Sequence, residues 1–167
     1  DSFFVVFASA VDAVSACAEG QRALAGHAWP QGVAPLIRMG LHTGEPTRHE
    51  DGYVGMDVHR AARIAASAHG GQVVMSEATR RLVAGQVADV GRGSQEGGDP
   101  AGLSVADLGW HRLKDIAEAE HLYQLLIPGL PQTFPPLKSL GNRGNLPRPP
   151  TPFIARSAEL RDVQGLL

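Results

Sequence analysis

The chain has 167 residues, 43% of them apolar, with a formal net charge of −2 and one cysteine, Cys17. That length suits one principal domain with a packed core, and a near-neutral balance without a basic cluster argues against a nucleic-acid surface. A single cysteine excludes an internal disulfide, no apolar run is long enough to span a membrane, and no signal peptide is visible, so a cytoplasmic location is expected.

The chain opens at Asp1, without a methionine and directly in an apolar run, and reads as a fragment of something longer. Asp1–Phe7 is expected to be a strand preceded by a turn-type residue. Ser9-Ala10-Val11-Asp12 is a capping-box start with Asp in the Glu position. The helix it opens should bury Val11, Val14 and Ala18 and end around Ala25-Gly26. Cys17 lies near that face and reads as a small buried hydrophobe. A loop rich in Gly and Pro follows from His27 to Pro35, with Trp29 expected against the sheet edge.

Leu36–His42 alternates apolar residues at Ile37, Met39 and Leu41 and predicts a strand. Thr43-Gly44-Glu45-Pro46 breaks it, and Thr47–Gly52 reads as a polar loop. Val58, Ala61, Ala62, Ala65 and Ala68 then recur at helical spacing, and His69-Gly70-Gly71 supplies the glycine a helix end favours. Gln72–Met75 is a short apolar strand. On the helix, His59 and Arg63 stand four residues apart and share a face. An arginine there holds phosphate oxygens bidentately, but spacing alone favours a solvated face with Arg60 as company. His42, His49 and His59 match no compact metal-ligand spacing, so His42 reads as an ordinary strand-end residue. Asp57, in the first helical turn, suits the helix dipole. Ser76 is expected to cap a helix from Glu77 to about Ala84, with Leu82 and Val83 turned inward. Gly85–Gly102 is glycine-rich and reads as an exposed hairpin or mobile loop. Leu103–Leu126 predicts two strands joined by Lys114-Asp115-Ile116-Ala117-Glu118.

The runs RMGLHTGE, YVGMDVHRAARIAASAHGGQVVMSEATRRLV and LGWHRLKDIAEAEHLYQL occur in that order. Together they resemble the catalytic domain of class III adenylate/guanylate cyclases, over Asp1 to about Leu126. More narrowly they resemble actinobacterial proteins in which such a domain precedes an ATPase module and a LuxR-type regulator. The resemblance implies an α+β fold: a ferredoxin-like βαββαβ core, truncated at its N-terminus, with an antiparallel sheet and helices packed on one face. It implies a homodimer with head-to-tail sites, binding ATP or GTP with Mg²⁺ or Mn²⁺ in a two-metal site. Asp1 matches one of the two metal aspartates; the other aspartate and the base-selecting lysine belong before residue 1. Arg63 matches the transition-state arginine. The asparagine four residues earlier is here His59, and the purine-contacting aspartate is here Gly52, with Asp51 next to it. The usual Lys-Gly turn is Lys114-Asp115, and no catalytic role is carried onto Lys114.

Beyond Ile127 the composition shifts to proline, so 128–152 is expected to be a stiff linker after a cyclase-like domain at 1–127. Phe153-Ile154-Ala155-Arg156-Ser157-Ala158-Glu159-Leu160 resembles the entry of NB-ARC or AAA-type ATPase modules, with Ala155 where glycine is usual; 153–167 is read as the start of one. Two functions follow from the resemblance. One is cyclic-nucleotide synthesis from ATP or GTP, weak or absent in this stretch because of Gly52 and His59. The other is a non-catalytic regulatory and dimerisation module of a transcriptional regulator, with no direct nucleic-acid contact.

Overall fold

The computed structural model describes residues 2–50, 52–89 and 102–140. Helix α1 (Ala10–Gly26) begins as expected, with the Ser9 Oγ accepting the Asp12 amide. It buries Ala13, Val14 and Ala18. Cys17 packs at the edge of that cluster, and burial pushes its thiol up to about 11, which keeps it protonated. Trp29 is fastened to the end of α1 and its ring meets the His27 ring edge-on. Its indole N–H donates to the Leu24 carbonyl at 2.7 Å, satisfying a helix-end acceptor that has no partner within the helix.

Strand β1 (Met39–Leu41) is shorter than the predicted run, since Leu36, Ile37 and Arg38 form no part of a ladder. Residues 47–54 form a hairpin rather than a polar loop, pairing β2 (Thr47–His49) with β3 (Gly52–Val54). Helix α2 (Met56–Ser67) follows, then β4 (Val73–Ser76), the short helix α3 (Glu77–Leu82), β5 (Ala88–Asp89), β6 (Ser104–Arg112) and β7 (Ala119–Leu126). The five long-sheet strands run in the order β1-β4-β7-β6-β5. The β4–β7 and β7–β6 pairs are antiparallel, while β1–β4 and β5–β6 are parallel.

The α+β class and the mostly antiparallel sheet are therefore as expected. The helices, however, divide between the two faces. Successive strand residues point to opposite sides, and β4 uses both. Val73 and Met75 pack with Ala13, Val14 and Ala18 of α1, whereas Val74 packs with Ile64 of α2 and Ala68 just beyond it. Ile64 is the core residue of α2, while Ala62, placed on the apolar face by spacing, is exposed. In α3 the Ser76 cap is present and Val83 is buried, but Leu82 is 59% exposed. The helix ends at Leu82 with Val83 as its C-cap, and its buried residues are Thr79 and Arg80.

Residues 2–7 form no strand. Phe3, Phe4, Val5, Val6 and Phe7 are all exposed, and no ladder holds them among the described residues. Strand propensity without a partner edge gains no hydrogen bonds. At the other end, 128–140 lies against the domain. Leu137 joins the α2 cluster, the Lys138 amide donates to the Ser67 carbonyl at 2.9 Å, and His69 Nε2 and Gln124 Nε2 hold the Pro136 and Gln132 carbonyls. The glycine-rich stretch from 90 to 101, and 141–167 with its ATPase-like run, lie outside the described residues.

Candidate functional site

The C-terminal end of β1, the N-terminal half of α2 and the β6–β7 turn enclose the polar centre of the molecule. Gly40 lets α2 approach β1: a Cβ there would stand 2.3 Å from the Ala65 amide nitrogen. Gly44 does the same for Asp57, whose Cγ would lie 2.3 Å from such a Cβ.

Asp57 is the hub of this centre. Its Oδ2 accepts the Glu45 amide at 2.9 Å; its Oδ1 faces His42 Nε2 at 3.2 Å and Arg60 Nη1 at 2.8 Å. Partial burial alone would raise its carboxyl. The Glu45 amide, the His42 ring and Arg60 outweigh that and hold it below the ordinary aspartate value. An ionised carboxylate only accepts, so His42 Nε2 donates, and on a neutral ring Nδ1 accepts from the Ser76 hydroxyl at 2.8 Å. Ser76, His42 and Asp57 thus stand in the order of a nucleophilic triad. Ser76 is fully buried, however, and its Oγ is already the cap of α3, accepting the Thr79 amide. The arrangement is structural. Arg60 continues it to β7 through an ion pair with Glu120 at 2.6 Å.

Neither His42 nor Asp57 was singled out for this role by sequence pattern. Their mutual partners Ser76, His42 and Glu45 are distant in the chain, and Arg60 is the one local partner of Asp57.

Of the residues predicted to act, the structure brings two together. His59 and Arg63 lie on one face of α2. His59 is exposed and its ring makes no hydrogen bond among the described residues. Arg63 is about a quarter exposed and forms an ion pair through Nη2 with the Asp115 carboxylate. Asp115 sits in the β6–β7 turn at φ 60°, the only non-glycine with positive φ among the described residues. That conformation explains why a glycine fits this position so readily. Lys114 is exposed. Gly52 opens β3, opposite His49 and at φ 132°, with open space where a side chain would be. Asp1 and Asp51 lie outside the described residues. Among those described, no group of three or more His, Cys, Asp or Glu side chains is placed to hold a metal ion. They do not by themselves make the expected two-metal site. No described helix is long and apolar enough to cross a membrane.

No family model matches the sequence. An uncharacterized protein of Mycobacterium tuberculosis is 36% identical over 163 residues, covering 96% of this chain and 50% of the relative. The chain thus spans about half the length of that relative. Among solved structures, an adenylate cyclase from Trypanosoma brucei in its monomeric state superposes with a TM-score of 0.57 at 23% identity, over 77% of this chain and 67% of that one. The guanylate cyclase domain of RhGC from Catenaria anguillulae, solved in complex with GTP, superposes with a TM-score of 0.51 at 18% identity, over 74% and 62%. The chain shares its fold, the sheet and α2 included, with these solved adenylate and guanylate cyclase structures.

Proposed function

We propose that the chain is a nucleotidyl cyclase-type domain that receives the triphosphate of ATP or GTP on Arg63 and turns it over slowly or not at all. One observation carries this reading. Arg63 projects from α2 towards a turn where an anionic group already faces it, while the neighbouring His59 ring is unengaged. In cyclic-nucleotide synthesis the ribose 3′-hydroxyl attacks the α-phosphorus and the bond to pyrophosphate breaks. A guanidinium aimed at the phosphate oxygens stabilises the charge that builds there. Mg²⁺ or Mn²⁺, with Asp1 as one ligand, would activate the attacking hydroxyl when bound.

Weak turnover follows from two positions. Gly52 offers no side chain to a purine, and Asp51 is its only acidic neighbour in sequence. His59 replaces an amide donor by a ring of different reach. Losing one preorganised donor costs roughly two to three orders of magnitude in rate. The functional unit in this reading is a homodimer, and the proline-rich stretch up to residue 152 joins it to the ATPase-like start at 153–167.

The test is cyclic-nucleotide production by the full-length protein with Mn²⁺ and ATP or GTP. Product near background is expected, rising about tenfold or more in His59→Asn and vanishing in Arg63→Ala. Vigorous turnover indifferent to Arg63→Ala would overturn the assignment. A second reading, a non-catalytic regulatory and dimerisation module, draws support from the exposed apolar run Phe3–Phe7. It predicts no product even from His59→Asn, together with loss of self-association when that run is made polar.

A further inference from the structure

Three features of the Arg63–Asp115 pair point the same way. Asp115 occupies a left-handed backbone position, which residues other than glycine rarely adopt. Such a residue persists where its surroundings hold it, and the contact that holds this side chain is Arg63. The pair is one-armed. Asp115 Oδ2 meets Arg63 Nη2, while Arg63 Nε is buried with no hydrogen-bond partner among the described residues. The other arginine of the helix, Arg60, lies within ion-pair distance of two carboxylates, Asp57 and Glu120, where Arg63 has one.

A guanidinium presents its donors as a fork, and an oligophosphate engages two of them at once. A carboxylate that engages one is a weaker match for the same position. The Asp115 carboxylate is also half exposed, so its bond to Arg63 is screened and exchangeable.

We propose that Asp115 is an internal stand-in for phosphate: a positioning residue that keeps Arg63 oriented in the unliganded protein, and that an oligophosphate must displace in order to bind. The inference rests on the proposed phosphate role of Arg63 and adds a built-in competitor to it. Affinity for the ligand is then lowered by the fraction of molecules in which Asp115 holds the arginine. The pair also explains the residue chosen for the turn. Glycine would adopt the same backbone without strain but would leave Arg63 with no partner before ligand arrives.

The probe is inorganic tripolyphosphate, titrated calorimetrically into the full-length protein in the presence of a chelator, so that neither metal nor turnover enters. Asp115→Asn removes the charge and tolerates the left-handed backbone, and Asp115→Gly removes the side chain while keeping the turn. Both are expected to bind the probe about threefold to tenfold more tightly. Arg63→Ala should lose most of the affinity, and Arg63→Ala combined with Asp115→Asn should match Arg63→Ala alone. A residue that merely supports the fold would not improve binding when removed. If both Asp115 variants bind as the wild type does while Arg63→Ala loses affinity, the competitor is refuted and the role of Arg63 stands. If Asp115→Asn gains as much in the Arg63→Ala background, the gain is general charge and the inference also fails. If no variant binds the probe, both it and the phosphate role of Arg63 are overturned.

Discussion

Asp57 shows how much of this centre depends on single atoms. Gly44 leaves the space its carboxylate fills, so Gly44→Ala is expected to destabilise the domain by about 1–3 kcal/mol, read as a lower urea midpoint. The carboxyl of Asp57 is held below its ordinary value in the folded state. Its contribution to stability is therefore fully present above the unfolded aspartate pKa and is lost as pH falls through the folded value. Asp57→Asn should lower the melting temperature at neutral pH and flatten its acid limb below about pH 4. An unchanged acid limb would count against Asp57 as the hub. At this scale the sequence disclosed the residues on the helix but not their partners. His59, Arg63 and Arg60 could be placed on α2 by spacing. The bonds from Asp57 to His42 and from Arg63 to Asp115 cross 15 and 52 residues of chain, a separation no local pattern encodes.

Among the elements, those with their own start signals were the most legible. Ser9 and Ser76 both cap the helices they precede, each accepting an amide three residues on. Ser9→Ala should cost about 1 kcal/mol, measured by chemical denaturation. The elements that escaped notice depend on contacts instead. Thr47–Gly52 reads as a polar loop, yet β2 and β3 pair as a hairpin with Thr47 opposite Val54. Proline beyond 127 suggested a stiff linker over 128–152, yet 128–140 packs on the domain. Proline forbids helix and ladder but not docking, and Leu137 gives this stretch a side chain to bury. Leu137→Ala should cost about 2–4 kcal/mol. A spacer would show no change in the same unfolding experiment.

For the molecule as a whole, the fold class was legible because ordered motifs spanned most of the chain. Which face each helix covers was not, because alternate residues of β4 are apolar on both sides. The exposed run from Phe3 to Phe7 is contiguous, and contiguous apolar surface of this kind drives association. The chain is expected to self-associate with rising concentration in sedimentation experiments. Phe4→Ser with Val6→Ser should reduce that association while leaving the melting temperature nearly unchanged, since surface substitutions rarely move stability by more than about 0.5 kcal/mol.

The two ends of α2 are each fastened to something else. At the first turn, Asp57 is bonded to the Glu45 amide and the His42 ring; at the last, the Ser67 carbonyl takes the Lys138 amide while Leu137 packs beside Ile64 and Ala68. A rod clamped at both ends neither slides nor rolls. Any reorientation of the Arg63 guanidinium is therefore left to its own side-chain torsions.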